Sequence, residues 1–132
     1  MKRGYIAAVL DHDFAEDLRN ETEMYGRHDN VRCEHVTMAY NPSDEVFKKY
    51  ENLIGRDVFI NVQAVVHDDR AQAAIVTGLP SENEVAHITL SLADGVPASY
   101  TKSLFHNPDR VDTTFIRGGK ATVRFVQHQG AG

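Results

Sequence analysis

Two short segments of this chain share one arrangement of polar side chains, a histidine followed two residues later by a threonine. They are His35-Val36-Thr37 and His87-Ile88-Thr89. The chain contains seven histidines and eight threonines, and a random arrangement of them would give about 0.4 such triplets. Two triplets of this kind are therefore a signal to be explained, and imidazole and hydroxyl groups together suggest acid-base chemistry.

Each triplet lies in an alternating segment that predicts a β-strand, residues 33–40 and 85–92. Side chains in a strand alternate between two faces, so the histidine and threonine of a triplet share one face, and apolar residues occupy the other. A polar face in an apolar strand must either be hydrogen-bonded within the protein or line a wet cleft. The first possibility, ordinary hydrogen-bonded strand histidines, stays open at this point.

The second possibility has a definite chemistry. Histidine titrates near neutral pH, so one neutral imidazole can take a proton from an attacking water or hydroxyl while one imidazolium gives a proton to a leaving oxygen. Two histidines on opposite sides of a phosphorus atom would suit in-line displacement. Each threonine hydroxyl can donate to a phosphate oxygen and stabilise the charge that builds in the transition state.

Two His-hydrophobic-Thr triplets separated by a helix and a hairpin resemble the 2H phosphoesterase superfamily, over nearly the whole chain. Residues 86–91, followed by 95–99, are similar to the 2′,3′-cyclic nucleotide phosphodiesterases and to the cyclic phosphodiesterase domains of tRNA ligases; small members also occur in phages. The resemblance implies paired sheets that set the triplets against each other across a cleft. It also implies that His35, Thr37, His87 and Thr89 are the catalytic residues.

We therefore expect a hydrolase that cleaves a nucleotide phosphodiester without a metal or any other cofactor. The substrate would be a 2′,3′-cyclic phosphate on a nucleotide or RNA end, or a cyclic oligonucleotide, and the sequence does not separate these. It also does not show which histidine is the acid and which the base. The alternative is a nucleotide-binding module or sponge that has a similar fold and no catalysis.

Candidate substrate-binding residues lie just beyond the triplet strands, where loops would approach a ligand. We assign this role to Tyr40, Ser91, Ser99 and Tyr100, since a base can stack on an aromatic ring. Thr101 and Lys102 follow in the same segment. Helix capping by Ser99 and packing by Tyr100 explain those two residues equally well, and Tyr5 is expected to pack in the core.

Two groups of histidine and aspartate residues could suggest metal ligands. They are His67-Asp68-Asp69 and Asp11-His12-Asp13, and both lie at predicted turns or helix starts. Aspartate is common there because its carboxylate accepts local backbone hydrogen bonds. We therefore expect no metal site, and a metal-dependent phosphohydrolase that uses these groups is the less favoured class.

The other elements must position the two triplet strands. The predicted helices cover residues 14–25, 44–54 and 98–105, and the further strands cover 5–10, 58–66, 71–77, 111–116 and 121–126. The last two strands are expected to form a hairpin that turns at Gly118-Gly119. Helices mixed with antiparallel pairs indicate a single α+β domain over residues 1–132, two-lobed, with antiparallel sheets around a central cleft and helices outside.

Composition limits the partners. The net charge of −5 disfavours duplex DNA and other long polyanions, so a nucleotide ligand should be small or terminal. The carboxy-terminal part still carries Arg110, Arg117, Lys120 and Arg124, which a solvated strand face would also explain. A single cysteine and the absence of a long apolar run indicate a soluble, cytoplasmic protein with no membrane partner. The oligomeric state is open.

Overall fold

The strands of this protein form one antiparallel sheet, seen in a computed structural model that describes residues 3–128. The elements in chain order are β1 (Gly4–Leu10), α1 (His12–Glu21), β2 (Asn30–Val31), β3 (His35–Tyr40), α2 (Asp44–Glu51), β4 (Asp57–His67), β5 (Ala71–Thr77), β6 (His87–Leu92), a 3-10 helix (Ala98–Tyr100), α3 (Thr101–Leu104) and β7 (Val111–Gln127).

The sheet is a closed, six-stranded antiparallel barrel, so the predicted two-lobed α+β fold is wrong. Its strands follow the order β6-β3-β1-β7-β4-β5, and β5 pairs again with β6 to close the ring. The two-residue β2 pairs with the end of β6. Among residues 3–128, strand residues make up 44% and helical residues 20%, which makes this part of the chain mostly β. The described residues therefore enclose one core instead of two lobes around a cleft.

The predicted hairpin at Gly118-Gly119 does not exist. β7 runs straight through these glycines, which pair with Asn61 and Ile60 of β4. Neither glycine has the positive φ that a tight hairpin turn needs. A Cβ on Gly119 would lie 2.2 Å from the ring of Phe14, so this glycine is required by an aromatic ring packed on the strand. Because β7 does not turn back, it pairs with both β1 and β4 and joins them in one sheet.

The main core is formed by one face of the six barrel strands. It receives Ile6 from β1, Val36 from β3, Ile88 from β6 and Val123 from β7, none of which is exposed. Side chains from α1 and α2 pack into the same cluster. On the opposite face, residues of β4, β5 and β6 pack with Leu104 of α3 in a smaller cluster. α3 therefore stands on the face that points away from the main core.

The starts of α1 and α2 differ in their capping. Ser43 caps α2, since its Oγ accepts a hydrogen bond from the Val46 amide at 3.2 Å. Asp11 occupies the cap position of α1 but makes no side-chain cap hydrogen bond, which contradicts the predicted role of its carboxylate. Both helices end three or four residues earlier than expected. No helix within residues 3–128 is long and apolar enough to cross a membrane.

The packing of Phe14 on Gly119 predicts the effect of a single methyl group. Gly119→Ala should lower the free energy of unfolding by about 1–3 kcal/mol, because the added Cβ meets a ring that is buried and cannot move away. Gly118→Ala is the matched control, since its Cβ would meet Phe59, which is 62% exposed and free to shift. Urea denaturation measures both. Equal losses for the two variants would contradict this account of the glycine pair.

Candidate active site

The two His-x-Thr triplets lie on neighbouring antiparallel strands, β3 and β6, where Val36 and Ile88 are paired residues. Both apolar side chains are fully buried, so the histidines and threonines project from the face that points away from the main core. Counting outward from this pair places each histidine opposite the threonine of the other triplet. The two histidines are then diagonal neighbours, roughly 7–8 Å apart. We call this surface the site face.

The backbone holds β3 in this position at both of its ends. Cys33 and Asn41 flank the strand, and they are the two non-glycine residues with positive φ among those described, at 75° and 44°. The Cys33 amide donates to the carbonyl of Thr89 at 2.9 Å, which fixes the approach of β3 to β6. Burial raises the pKa of Cys33 to about 12, so its thiol is an inert packing group.

Both ring nitrogens of His87 are hydrogen-bonded within the protein. Nδ1 lies 2.8 Å from the carbonyl oxygen of Val85, and Nε2 lies 2.9 Å from the hydroxyl oxygen of Thr101. A carbonyl can only accept, so Nδ1 carries a proton and donates it to Val85. The ring also packs edge-on against Phe105, with centroids 5.0 Å apart. These contacts fix the orientation of His87 and make Nε2 its titrating nitrogen.

Opposing influences act on the charge of His87. Burial lowers its pKa, the hydrogen bond to the Val85 carbonyl raises it, and the ammonium group of Lys102 lowers it again. The net result is a pKa below the ordinary histidine value. A negatively charged phosphate beside the ring would favour the protonated form instead.

His35 has a different environment. Its ring nitrogens form no hydrogen bond with any residue in the described part of the chain. Burial lowers the pKa of His35, the carboxylate of Glu34 raises it, and the nearby His87 lowers it, with a net decrease. The ring of Tyr5 lies over it, with centroids 5.2 Å apart. Tyr5 was expected in the core, but it stands half-buried on the site face.

The threonines of the two triplets lie on the site face beside the histidines. Thr37 and Thr89 are half-buried, and within residues 3–128 their hydroxyls have no hydrogen-bond partner. The carbonyl of Thr37 accepts from Ser81 Oγ at 3.0 Å and from Asn83 Nδ2 at 3.4 Å. These contacts attach the loop of residues 78–86 to β3 and leave the hydroxyls available to a ligand.

A second anchor holds the same loop from the other side. The hydroxyl of Tyr50, in α2, donates to Glu82 Oε2 at 2.5 Å, and Lys49 donates to the same oxygen at 3.0 Å. The Glu82 amide in turn donates to the Met38 carbonyl of β3. The loop that leads into β6 is therefore tied to both α2 and β3.

A cavity of about 220 Å³ lies between this loop and α3, beside His87. Its lining residues are Glu82, Asn83, Glu84, Val85, His87, Lys102, Phe105 and His106. The lining combines an aromatic ring, the Lys102 ammonium group, two carboxylates and other hydrogen-bonding groups, which suits part of a polar organic ligand. This cavity was not foreseen from the sequence, because residues 82–85 and 102–106 come together only in the folded chain.

Arg124 stands in the same row of the sheet as Thr37. Ala7 pairs with Thr37 on one side and with Arg124 on the other, so all three lie on the site face. Two strand spacings put the Arg124 and Thr37 backbones about 10 Å apart, within reach of a shared ligand for an extended arginine. The guanidinium is exposed and has no ion-pair partner in the described chain. Of the other basic residues grouped with it from the sequence, Arg117 pairs with Asp17 at 2.9 Å.

Two of the predicted substrate-binding residues differ completely in exposure. Tyr40 is 65% exposed and pairs with Tyr5 on the site face, with its ring 5.2 Å from that of His128. Ser91 is fully buried, and its hydroxyl donates to Gln72 at 2.7 Å and accepts from the His28 amide at 2.9 Å. Tyr40 therefore adjoins the triplets, whereas Ser91 offers a ligand no exposed atom.

The other two predicted substrate-binding residues belong to the 3-10 helix before α3. Ser99 is exposed there. The hydroxyl of Tyr100 donates to Asp68 Oδ2 at 2.6 Å, and this hydrogen bond raises the pKa of Tyr100. Tyr100 thus anchors the helix that carries Thr101. This agrees with the alternative that Tyr100 is a packing residue and not a substrate-binding one.

Asp68, which belongs to one of the two groups that could suggest metal ligands, is only 7% exposed. Its carboxylate accepts from Tyr100, from Asn107 Nδ2 at 2.9 Å, and from the amides of Arg70 and Ala71. The structure gives this aspartate a turn-forming and anchoring role. Among the residues between 3 and 128, no three His, Cys, Asp or Glu side chains are grouped so that they could hold a metal ion.

No protein-family model matches this chain, and no curated protein matches it. The site face is therefore the feature that bears on function. It combines two imidazoles, two threonine hydroxyls and a nearby guanidinium on adjoining strands of a closed barrel.

The hydrogen bonds of Asp68 predict a dependence of stability on pH. Burial raises the pKa of Asp68, but the hydrogen bonds from Tyr100, Asn107 and the two amides outweigh burial, so the pKa lies below the ordinary value. The stabilisation is then present above about pH 4 and is lost as the pH falls through the folded-state pKa. Asp68→Asn should lower the free energy of unfolding by about 2 kcal/mol at pH 7, and the difference from wild type should shrink in acid.

Urea denaturation at pH 7 and pH 3 measures this difference. Asp69→Asn is the matched control, because Asp69 is exposed and adjacent. An equal loss in the control, or a difference that stays constant with pH, would contradict the anchoring role of Asp68.

Proposed function

We propose that this chain is a 2H-type phosphoesterase that cleaves a nucleotide phosphodiester without a metal, with His35 and His87 as its acid-base pair. The observation that carries the proposal is the pairing of β3 with β6, which puts both His-x-Thr triplets on one face with each histidine opposite the other threonine. The proposal does not include the two-lobed architecture that the resemblance implies, because the structure is a closed barrel. Within this closed sheet, two neighbouring strands supply the juxtaposition instead.

The residues present account for every step that the reaction needs. A neutral imidazole accepts the proton of the attacking water or ribose hydroxyl as its oxygen bonds to phosphorus. The second histidine, as imidazolium, gives its proton to the leaving oxygen as that bond breaks. Thr37 and Thr89 donate to the non-bridging oxygens, where charge builds in the transition state.

The substrate class proposed is a small nucleotide or a nucleotide end: a 2′,3′-cyclic phosphate, or a cyclic oligonucleotide. The net charge of −5 disfavours long polyanions, and the cavity beside His87 has room for about one base or sugar of a ligand. The proposal also includes a cytoplasmic setting, because the lone cysteine fits a reducing compartment.

A nucleotide-binding module is the second candidate, and one observation favours it. Both nitrogens of His87 are bonded to other groups of the protein, so His87 must leave Thr101 before it can transfer a proton to a ligand. Binding of a nucleotide with no turnover by the wild-type protein would establish this alternative.

Turnover of a substrate panel tests the proposal. The panel contains 2′,3′-cyclic mononucleotides, cyclic-phosphate-ended RNA, and cyclic di- and trinucleotides, incubated in EDTA and read by mass. We expect turnover of at least one compound, and a loss of about 10²–10⁴ in rate for His35→Ala and for His87→Ala. His12→Ala is the matched control, since its side chain is 83% exposed on α1. Near-full activity in either site variant, or activity that EDTA abolishes, would refute the proposal.

Arg124 predicts a separate effect on substrate affinity. Arg124→Ala should raise KM by about tenfold or more, because a charge-assisted hydrogen bond to the phosphate is lost. Arg124→Lys retains the charge and should lose less. Steady-state kinetics on the best substrate of the panel separates KM from kcat. An unchanged KM in Arg124→Ala would show that this arginine is an ordinary solvated side chain.

A further inference from the structure

The contact between His87 and Thr101 joins the proposed acid-base pair to α3. Thr101 is 2% exposed, and its hydroxyl has two neighbours: the carbonyl of Ala98, to which it donates at 2.9 Å, and Nε2 of His87 at 2.9 Å. While the Thr101 hydroxyl donates its proton to the Ala98 carbonyl, the hydroxyl oxygen can only accept from His87. In that arrangement both ring nitrogens of His87 carry protons, and each proton has an acceptor in the protein.

We propose that Thr101 is a positioning residue of this site: its hydroxyl accepts the Nε2 proton of the His87 imidazolium, which makes His87 the proton donor and His35 the base. The inference rests on the proposed phosphodiesterase activity and assigns the roles within it. His35 suits the base because none of the described residues hydrogen-bonds to its ring, so a free nitrogen is available to the attacking hydroxyl.

The surroundings of His87 make such a partner necessary. Burial and the ammonium group of Lys102 on α3 both oppose a positive charge on the ring, whereas His35 on β3 is neutral while it serves as the base. Glu82 and Glu84 of the preceding loop and His106 after α3 line the adjoining cavity. The carboxylates of this loop are exposed and therefore screened by water. Among the described residues, the carbonyl of Val85 and the hydroxyl of Thr101 are the two groups within hydrogen-bond distance of the ring nitrogens.

The same geometry allows the proton to leave. When a substrate enters, its leaving oxygen replaces Thr101 as the acceptor of the Nε2 proton, and Thr101 keeps its hydrogen bond to Ala98. No buried group loses its only partner, so the exchange carries little penalty. The proton then passes from Nε2 to the leaving oxygen as the bond between phosphorus and that oxygen breaks. His35 ends with the proton of the attacking hydroxyl, and solvent returns both histidines to their starting forms.

Thr101→Val and Thr101→Ser test the role of the hydroxyl. Valine keeps the shape and removes the hydroxyl, whereas serine keeps the hydroxyl. The pKa of His87, measured by NMR titration of its ring, should fall by about one unit in Thr101→Val. The charged ring makes a stronger hydrogen bond to the hydroxyl than the neutral ring does, so loss of the hydroxyl destabilises the charged form more. In Thr101→Ser it should stay close to the wild-type value. An unchanged value in Thr101→Val, or an equal fall in both variants, would overturn the proposal.

The pH profile of kcat/KM tests the assignment of roles. A proton donor must be protonated, so its loss forms the basic limb of the profile, and this limb should move to lower pH by about one unit in Thr101→Val. Movement of the acidic limb instead would make His87 the base and refute the assignment. If no phosphodiester is cleaved, the proposed function and the donor role fail together, while the NMR titration still decides whether Thr101 stabilises the charged ring.

Discussion

A shift of β3 by one residue along β6 would turn His35 into the main core and Val36 out to solvent. The pairing of Val36 with Ile88 prevents this shift, because both side chains are fully buried and belong to the same apolar cluster. Side chains alternate with a period of two, so burial of these two residues determines the direction of the histidine and threonine beside each of them. The chemistry proposed for the site therefore depends on an apolar contact behind it.

Hydrogen bonds outside the site face hold the two segments that flank His87. Asp68 holds Tyr100, and with it the start of α3, while Tyr50 and Glu82 hold the loop on the other side of His87. Each of these hydrogen bonds has at least one buried partner, which makes it costly to break. His87 thus lies between two segments, each attached to a different part of the barrel, and its ring has little freedom to reorient.

Local pattern predicted most of the strands. β5 has the predicted bounds, and both triplets lie in strands, because strand alternation and turn residues are properties of neighbouring positions. Contacts between distant residues had no such signal. Gly118-Gly119 was interpreted as a turn, since nothing nearby in sequence shows that Phe14 packs on Gly119. That error separated β7 into two strands, and together with the resemblance it led to the prediction of two lobes. Similarly, the hydrogen bond of Thr101 to His87 joins residues 14 positions apart across a helix.

Closure of the barrel has a consequence for how such a protein can diversify. β6 is hydrogen-bonded to β3 on one side and to β5 on the other, so the wall that carries His87 tolerates no insertion without breaking a ladder. The segments of residues 78–86 and 98–107 adjoin this wall as connections. Apart from the anchors Glu82, Tyr100 and Thr101, their exposed positions accept changes of composition more readily than the strands do. Ligand preference can then diverge in two short segments while the proton-transfer groups keep their spacing.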